Sequence, residues 1–280
     1  DDPDRYLLAK ANCMGTAEGL KWLISEGHRS LAVRFWKDKE QPWIDEVAKL
    51  SLDLARQGDV KDAVYVAMRS NRTEDLLQIV SMEQIRRRDI LSALQEITSK
   101  PESVDSDGIL LPLLFLSLLI ESRDETFELL QVAVSRNIPV AEVAEYVDKA
   151  GAHSFLIDTV SIKIDKIMDE ASLFSGLDIA TYLLDVLSLT SSSEATKIDK
   201  GLKDCIDRLF KKIKGTARRL ELEIEKVSDR ISRLYDAIQT YNFSEHRRAA
   251  ILRDLEKVRQ EITAIKKQNR TESEEGKVLK

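Results

Sequence analysis

Apolar side chains in the first 190 residues recur three and four positions apart, and no window alternates convincingly with a period of two. This spacing places apolar side chains on one face of an α-helix. Residues that start or stop helices separate the stretches, such as the adjacent Gly58 and Asp59 and the polar segment 99–108. The pattern predicts an all-α fold in which an irregular stack of helical hairpins forms a body over residues 1–193.

A heptad pattern begins after residue 193 and is the clearest signal in the sequence. Apolar residues step alternately by four and three over five heptads. The d positions hold Ile206, Ile213, Leu220, Val227, Leu234 and Tyr241, and the a positions hold Phe210, Ala217, Ile224, Ile231 and Ile238. A seam of this length is typical of a coiled coil. It predicts a single helix that runs through residues 206–241.

A second apolar seam follows a short interruption at residues 242–244. It contains Ile251, Leu255, Val258, Ile262 and Ile265. Two seams joined by a short break predict an antiparallel coiled-coil hairpin. Pairing a with d positions gives a register in which facing residue numbers add up to 489, as for Ile231 and Val258. In this register Arg230 on the flank faces Glu261.

The two helices of this hairpin differ in length, which leaves part of the first helix without a partner. The outgoing helix spans about 47 residues and the return helix about 25, or roughly 70 Å and 37 Å. The stem residues left uncovered are Ile206, Phe210, Ile213 and Ala217, together with Leu222 at an outward-facing position. They could contact the helical body, a second copy of the chain or another protein. The predicted organisation is a body at 1–193, this coiled-coil arm at 194–270 and a polar tail at 271–280.

One short segment resembles a known repeat. Residues 54–63, with the sequence Leu-Ala-Arg-Gln-Gly-Asp-Val-Lys-Asp-Ala, are similar to the turn between the two helices of a tetratricopeptide unit. The resemblance implies that Gly58 makes a tight turn and that small alanines let the paired helices approach closely. It covers residues 43–70, and no second copy follows at the period of about 34 residues that such repeats have. One unit does not make a solenoid, because each repeat buries its apolar face against a neighbour.

Composition supports long helices and adds a charge asymmetry. The 280 residues include 33% charged side chains but only 10 glycines and 5 prolines, so few residues interrupt helices. Residues 195–270 carry a net charge of +8, whereas residues 1–194 carry −13. The acidic body could attract the basic arm, or the arm could bind an anionic partner.

The basic patch of the arm consists of Lys211, Lys212, Lys214, Arg218 and Arg219. On the flank of the predicted helix, these side chains could bind the phosphates of nucleic acid or an anionic lipid surface. No aromatic residues alternate with them, which weakens the interpretation as a site for single-stranded nucleic acid. Three consecutive arginines at 86–88 add a second, shorter patch. A solvated surface, or one that faces the body, is the simpler interpretation.

No catalytic or metal-binding motif accompanies these surfaces. The three histidines are far apart, and the sequence contains none of the motifs of zinc proteases, P-loops, dinucleotide-binding folds or serine hydrolases. Residues 105–108 resemble the start of a calcium loop, but position 116 is leucine where such a loop needs glutamate. We therefore predict no catalytic residues, no cofactor and no metal site, and we identify no small-molecule substrate.

Cysteine usage and hydropathy indicate which cellular compartment the chain occupies and whether it spans a membrane. Cys13 and Cys205 match no metal spacing and are expected to be buried thiols, in the cytoplasm or another reducing compartment. The longest apolar stretch, residues 109–120, includes a proline and is short for a membrane span, so it predicts a core helix. The chain begins with Asp-Asp-Pro and not with methionine, which indicates a piece of a longer protein.

These observations favour a non-catalytic protein–protein interaction module: an adaptor, a scaffold or an assembly subunit. Its partner would be another protein or a second copy of the chain, bound through helical surfaces of the coiled-coil arm. The first alternative is a protein whose basic arm binds an anionic membrane or nucleic acid. The second is an enzyme whose site the sequence does not reveal. Salt separates the partner classes, because binding to phosphates weakens steeply with salt and apolar association does not.

Overall fold

A computed structural model describes residues 3–39, 47–99, 108–191, 195–217 and 224–278 of the chain. Throughout these ranges the regular secondary structure is helical and no strand is present, so the all-α prediction is confirmed. The chain folds as two compact units, Asp1–Ser122 and Arg123–Lys280. The predicted boundary at residue 193 does not separate them, because helices before and after it pack together in the second unit.

The first unit contains eight described helices. They are α1 (Pro3–Cys13), α2 (Thr16–Ser25), α3 (Arg29–Lys39), α4 (Ser51–Gln57), α5 (Val60–Arg69), α6 (Thr73–Ser81), α7 (Arg87–Thr98) and α8 (Leu110–Leu119). α5 is central and packs against α3, α4, α6, α7 and α8. Val60, Ala63, Val64 and Ala67 form its buried face at helical spacing. α8 is the apolar stretch of the sequence and is buried along most of its length, as expected of a core helix.

The turn between α4 and α5 has the geometry that the tetratricopeptide resemblance implies. Gly58 adopts a φ of 89°, which residues with a side chain rarely adopt. The Asp59 amide donates to the Leu54 carbonyl at 2.9 Å and closes the end of α4. Ala55 and Ala63 are fully buried in this tightly packed helix pair. The same turn closes helix pairs in many helical folds, so it explains the resemblance without requiring a repeat.

The second unit contains seven described helices. They are α9 (Arg123–Ser135), α10 (Val140–Ala150), α11 (His153–Asp165), α12 (Glu170–Ser188), α13 (Ala195–Ala217), α14 (Ile224–Thr240) and α15 (Glu245–Val278). α12 is the central helix and packs against α9, α10, α11, α13 and α14. α13 packs against both α11 and α15, and α14 packs against both α12 and α15.

α12 is the one described helix that is long and apolar enough to cross a membrane by length and composition. Half of that stretch is buried among its neighbours. The core helix of a globular protein meets the same criterion, so length and composition do not distinguish the two.

The predicted single helix through residues 206–241 is wrong, because α13 and α14 are separate antiparallel helices. The Tyr241 hydroxyl donates to the Asp199 carboxylate at 3.3 Å, although the two residues are 42 positions apart. In one straight helix that separation would be about 63 Å. Arg247 contacts the same carboxylate at 3.0 Å. The start of α13 therefore meets the end of α14 and the start of α15.

α14 and α15 pack against each other, and a hydrogen bond of 3.0 Å from Arg259 to Ser232 agrees with their antiparallel direction. The apolar seam between them is buried: Val227, Ile231, Leu234, Ile238, Ile251, Leu255, Val258 and Ile262. The predicted flank pair does not form, because Arg230 pairs with a carboxylate of α12 and Glu261 with a lysine of α13. The helix pair is thus packed into the second unit and is not a two-helix arm.

Candidate functional site

The stem residues belong to the core of the second unit. Ile206, Phe210 and Ile213 retain 1%, 4% and 0% of their surface. α13 is covered by α11, α12 and α15, so no partner is needed to bury this face. Of the three surfaces that could cover these residues, the structure shows the predicted body, through α11 and α12, together with α15. The Ala217 side chain and Leu222 lie outside the described residues.

The predicted basic patch is partly used by contacts inside the chain. The Lys212 ammonium donates to two backbone carbonyls at the C-terminal end of α11, where the helix dipole favours a cation. Lys214 pairs with a glutamate of α15 at 2.9 Å, and Lys211 is exposed. Arg218 and Arg219 lie outside the described residues. The three described lysines therefore do not form one free cationic surface.

The second basic patch, at residues 86–88, has a structural role at its middle residue. The Arg87 guanidinium donates to the Ile120 carbonyl and, at 3.1 Å, to the Glu121 carbonyl. Both carbonyls lie at the C-terminal end of α8, where the last carbonyls of a helix lack intrahelical partners. Arg87 therefore caps α8.

Side chains of the catalytic and metal-binding types are dispersed. Within the described residues no group of three His, Cys, Asp or Glu could hold a metal ion. His153 is buried and lies 2.7 Å from Asp148, whose carboxylate also accepts the Ser191 amide after α12. Burial raises the pKa of the Cys205 thiol to about 11. Cys13 is exposed, contrary to the sequence-based expectation.

A polar cleft on the second unit brings together residues that no sequence motif indicates. It lies between the α9–α10 loop, α12 and α14 and has a volume of about 720 Å³. Ligand sites are typically roughly 300–1,000 Å³. α12 contributes Asp178, Thr181, Tyr182 and Asp185, and α14 contributes Arg230, Arg233, Asp236, Ala237 and Thr240. We call this recess the α12–α14 cleft.

One end of the α12–α14 cleft holds an ion cluster. The Asp178 carboxylate accepts from Arg230 Nε at 3.0 Å and from Arg233 Nη2 at 3.2 Å. Arg230 also lies over the Phe174 ring, 4.5 Å from its centroid, and its side chain is mostly buried. The Arg233 side chain is 60% exposed, so much of its guanidinium faces solvent at the rim.

The other end of the cleft holds the carboxylate of Asp185. Asp185 lies two turns of α12 beyond Asp178, about 10 Å along the helix axis. Burial raises the pKa of Asp185 above its ordinary value of 3.8. Among the residues that the structure describes, none donates a hydrogen bond to this carboxylate or pairs with it. The described part of the unit therefore does not offset the desolvation of its charge.

The third wall of the cleft is the loop between α9 and α10. The Tyr182 hydroxyl donates to the Ile138 carbonyl at 2.9 Å and ties the loop to α12. Burial raises the pKa of Tyr182, and the charge of Glu142 adds to the shift. Asn137 has a φ of 52°, and the Ile138 amide donates to the Ala133 carbonyl to close α9. Hydrogen bonds on both sides therefore fix this wall.

The α12–α14 cleft offers a cation and an anion at opposite ends, with Ile138, Pro139, Val140 and Ala237 as apolar lining. The residues that line it include no histidine and no cysteine. Its sequence signal was a polar stripe, formed by Asp178, Thr181, Tyr182 and Asp185 at helical spacing on an otherwise apolar helix. No family model matches the sequence, and no match was found among curated proteins or solved structures. Function is therefore inferred from the residues of the cleft.

Proposed function

We propose that the protein is a non-catalytic protein–protein interaction module, an adaptor, scaffold or assembly subunit that binds a segment of its partner in the α12–α14 cleft. The observation that supports this most is the cleft itself. It combines charged groups at both ends with an apolar lining between them, and hydrogen bonds fix its loop wall. Packed helices commonly bind partner segments in grooves of this kind.

This surface replaces the stem as the proposed place of contact. Ile206, Phe210 and Ile213 are buried by helices of the same unit, so they contribute to folding. The cleft keeps polar and charged side chains of two neighbouring helices open to solvent. A partner can therefore bind there without unpacking the core.

The two alternative functions have less support. Binding of an anionic membrane or nucleic acid through the basic arm would use Lys212 and Lys214, which already contact groups of the same chain. An enzyme could use the carboxylates and the tyrosine of the cleft as acid–base groups, but the residues that line it include no thiol and no imidazole to accompany them.

Two matched variants of α14 test the proposal. Thr240 lines the cleft, whereas its exposed neighbour Gln239 does not. Thr240→Trp fills the cleft with a large side chain, and Gln239→Trp adds the same side chain beside it. A partner captured from the source cells should bind the wild-type chain and Gln239→Trp equally well. It should bind Thr240→Trp at least ten times more weakly.

Circular dichroism controls for folding, because both variants should keep the helix content of the wild-type chain. Equal binding of the captured partner to all three proteins would exclude the α12–α14 cleft as the binding surface.

A further inference from the structure

We infer that the partner segment bound in the α12–α14 cleft carries a lysine or arginine side chain that pairs with Asp185. The inference rests on the proposed function, because it names the chemistry of the segment that the same cleft accepts. The occupant is thus a basic peptide segment of another protein.

The two carboxylates on the cleft face of α12 have different surroundings. Asp178 accepts hydrogen bonds from Arg230 and Arg233, so its charge is compensated within the unit. Asp185 lies on the same face two turns away, and none of the described residues pairs with it. Asp178 therefore contributes to the structure of the cleft, whereas Asp185 remains available to a ligand.

The half-buried charge of Asp185 is desolvated, and no described residue compensates this with a hydrogen bond or a counter-charge, so it opposes folding. Burial is the cause of its raised pKa, and no cation among the residues that the structure describes lowers it. Groups that oppose folding in this way are typical of binding sites, where the ligand supplies the missing interaction. A cation is the group that completes this site.

The other charges of the cleft orient the bound segment. Asp236 on α14 is exposed and adds negative charge to the cleft. Arg233 is held by Asp178 at the far end, about 10 Å from Asp185 along the helix axis. The cationic side chain of the segment therefore lies toward Asp185, and a carbonyl or carboxylate of the segment lies toward Arg233.

The apolar lining suits long cationic side chains. Ile138, Pro139 and Val140 from the loop face the cleft together with Ala237 from α14. Lysine and arginine pack their methylene groups on apolar surface while the charged end reaches a carboxylate. Arginine can also form two parallel hydrogen bonds to one carboxylate. A small inorganic cation would leave this lining uncovered.

A displayed library of random twelve-residue peptides tests the inference with a defined probe. The full-length chain is the target, and peptides that also bind Thr240→Trp are removed as binders outside the cleft. We expect the remaining peptides to share a lysine or arginine. Replacing that lysine by norleucine, or the arginine by norleucine, should weaken binding about ten-fold or more in fluorescence anisotropy.

Asp185→Asn keeps the shape of the side chain and removes its charge, so it should weaken binding to the same extent. Asp229→Asn is the matched control, because Asp229 is an exposed carboxylate of α14 outside the cleft lining. Peptides that bind in the cleft without a basic residue, or that bind Asp185→Asn as tightly as wild type, would overturn the inference and leave the proposed function standing. A library that yields no peptide blocked by Thr240→Trp would overturn both.

Discussion

Truncation of Phe210 to alanine tests whether this residue is buried inside the second unit or is covered by a partner protein. Phe210 keeps only 4% of its surface, and its helix packs against α11, α12 and α15. Replacing a buried phenylalanine by alanine typically costs about 3–5 kcal/mol. That is a large share of the roughly 5–15 kcal/mol by which a domain is stable. Each kcal/mol lowers the Tm of a unit of this size by about 2–4 °C, so we expect a decrease of about 6–20 °C.

Thermal unfolding followed by circular dichroism measures this change, and light scattering checks that the oligomeric mass stays the same. Lys211→Ala is the control, because Lys211 is the exposed neighbour and surface substitutions usually change stability by less than about 0.5 kcal/mol. A Tm of Phe210→Ala within about 2 °C of wild type would refute the burial of this residue. Loss of an oligomer at an unchanged Tm would show instead that a partner covers the stem.

Three further predictions concern single residues. Burial raises the pKa of Asp185 in the folded protein, so above that pKa its charge opposes folding. Below pH 3.8 the carboxyl is mostly neutral in both the folded and the unfolded protein. Asp185→Asn should therefore raise the Tm at pH 7 but not at pH 3, and a lower Tm at pH 7 would contradict this. Gly19→Ala should lower the free energy of unfolding in urea by about 1–3 kcal/mol, because its Cβ would lie 2.2 Å from a backbone oxygen of α1. Gly215→Ala has open space for its Cβ, so it should raise that free energy by up to about 1 kcal/mol. Ellman's reagent should modify Cys13 in the native protein and Cys205 only after unfolding; rapid modification of both would be inconsistent with the structure.

The buried seam of α14 and α15 could be predicted because it depends on periodicity alone. Ile231 and Val258 are apolar at heptad positions, and both are buried. The end of α13 could not be located in the same way. The heptad pattern keeps its phase through Leu220, so one long helix and two antiparallel helices have the same apolar spacing.

The ion pairs and the cleft depend on tertiary structure that the sequence pattern does not contain. Arg230 pairs with Asp178, which lies 52 positions away, because α12 packs beside α14. A polar stripe on a helix is ordinarily exposed to solvent, so Asp185 did not stand out. Only the packing of α14 and the placement of the α9–α10 loop make that stripe the wall of a cleft.

The location of a bound peptide tests most directly the central claim that a partner segment lies in the α12–α14 cleft. The photo-crosslinking amino acid p-benzoylphenylalanine is placed at Ser135, an exposed residue on the cleft rim, and in a second protein at Arg253, an exposed residue of α15. Each protein is irradiated with a peptide selected from the library. Our account predicts a crosslink from position 135 that excess unlabelled peptide abolishes, and none from position 253. Crosslinking from position 253 alone, or equally from both positions, would contradict it.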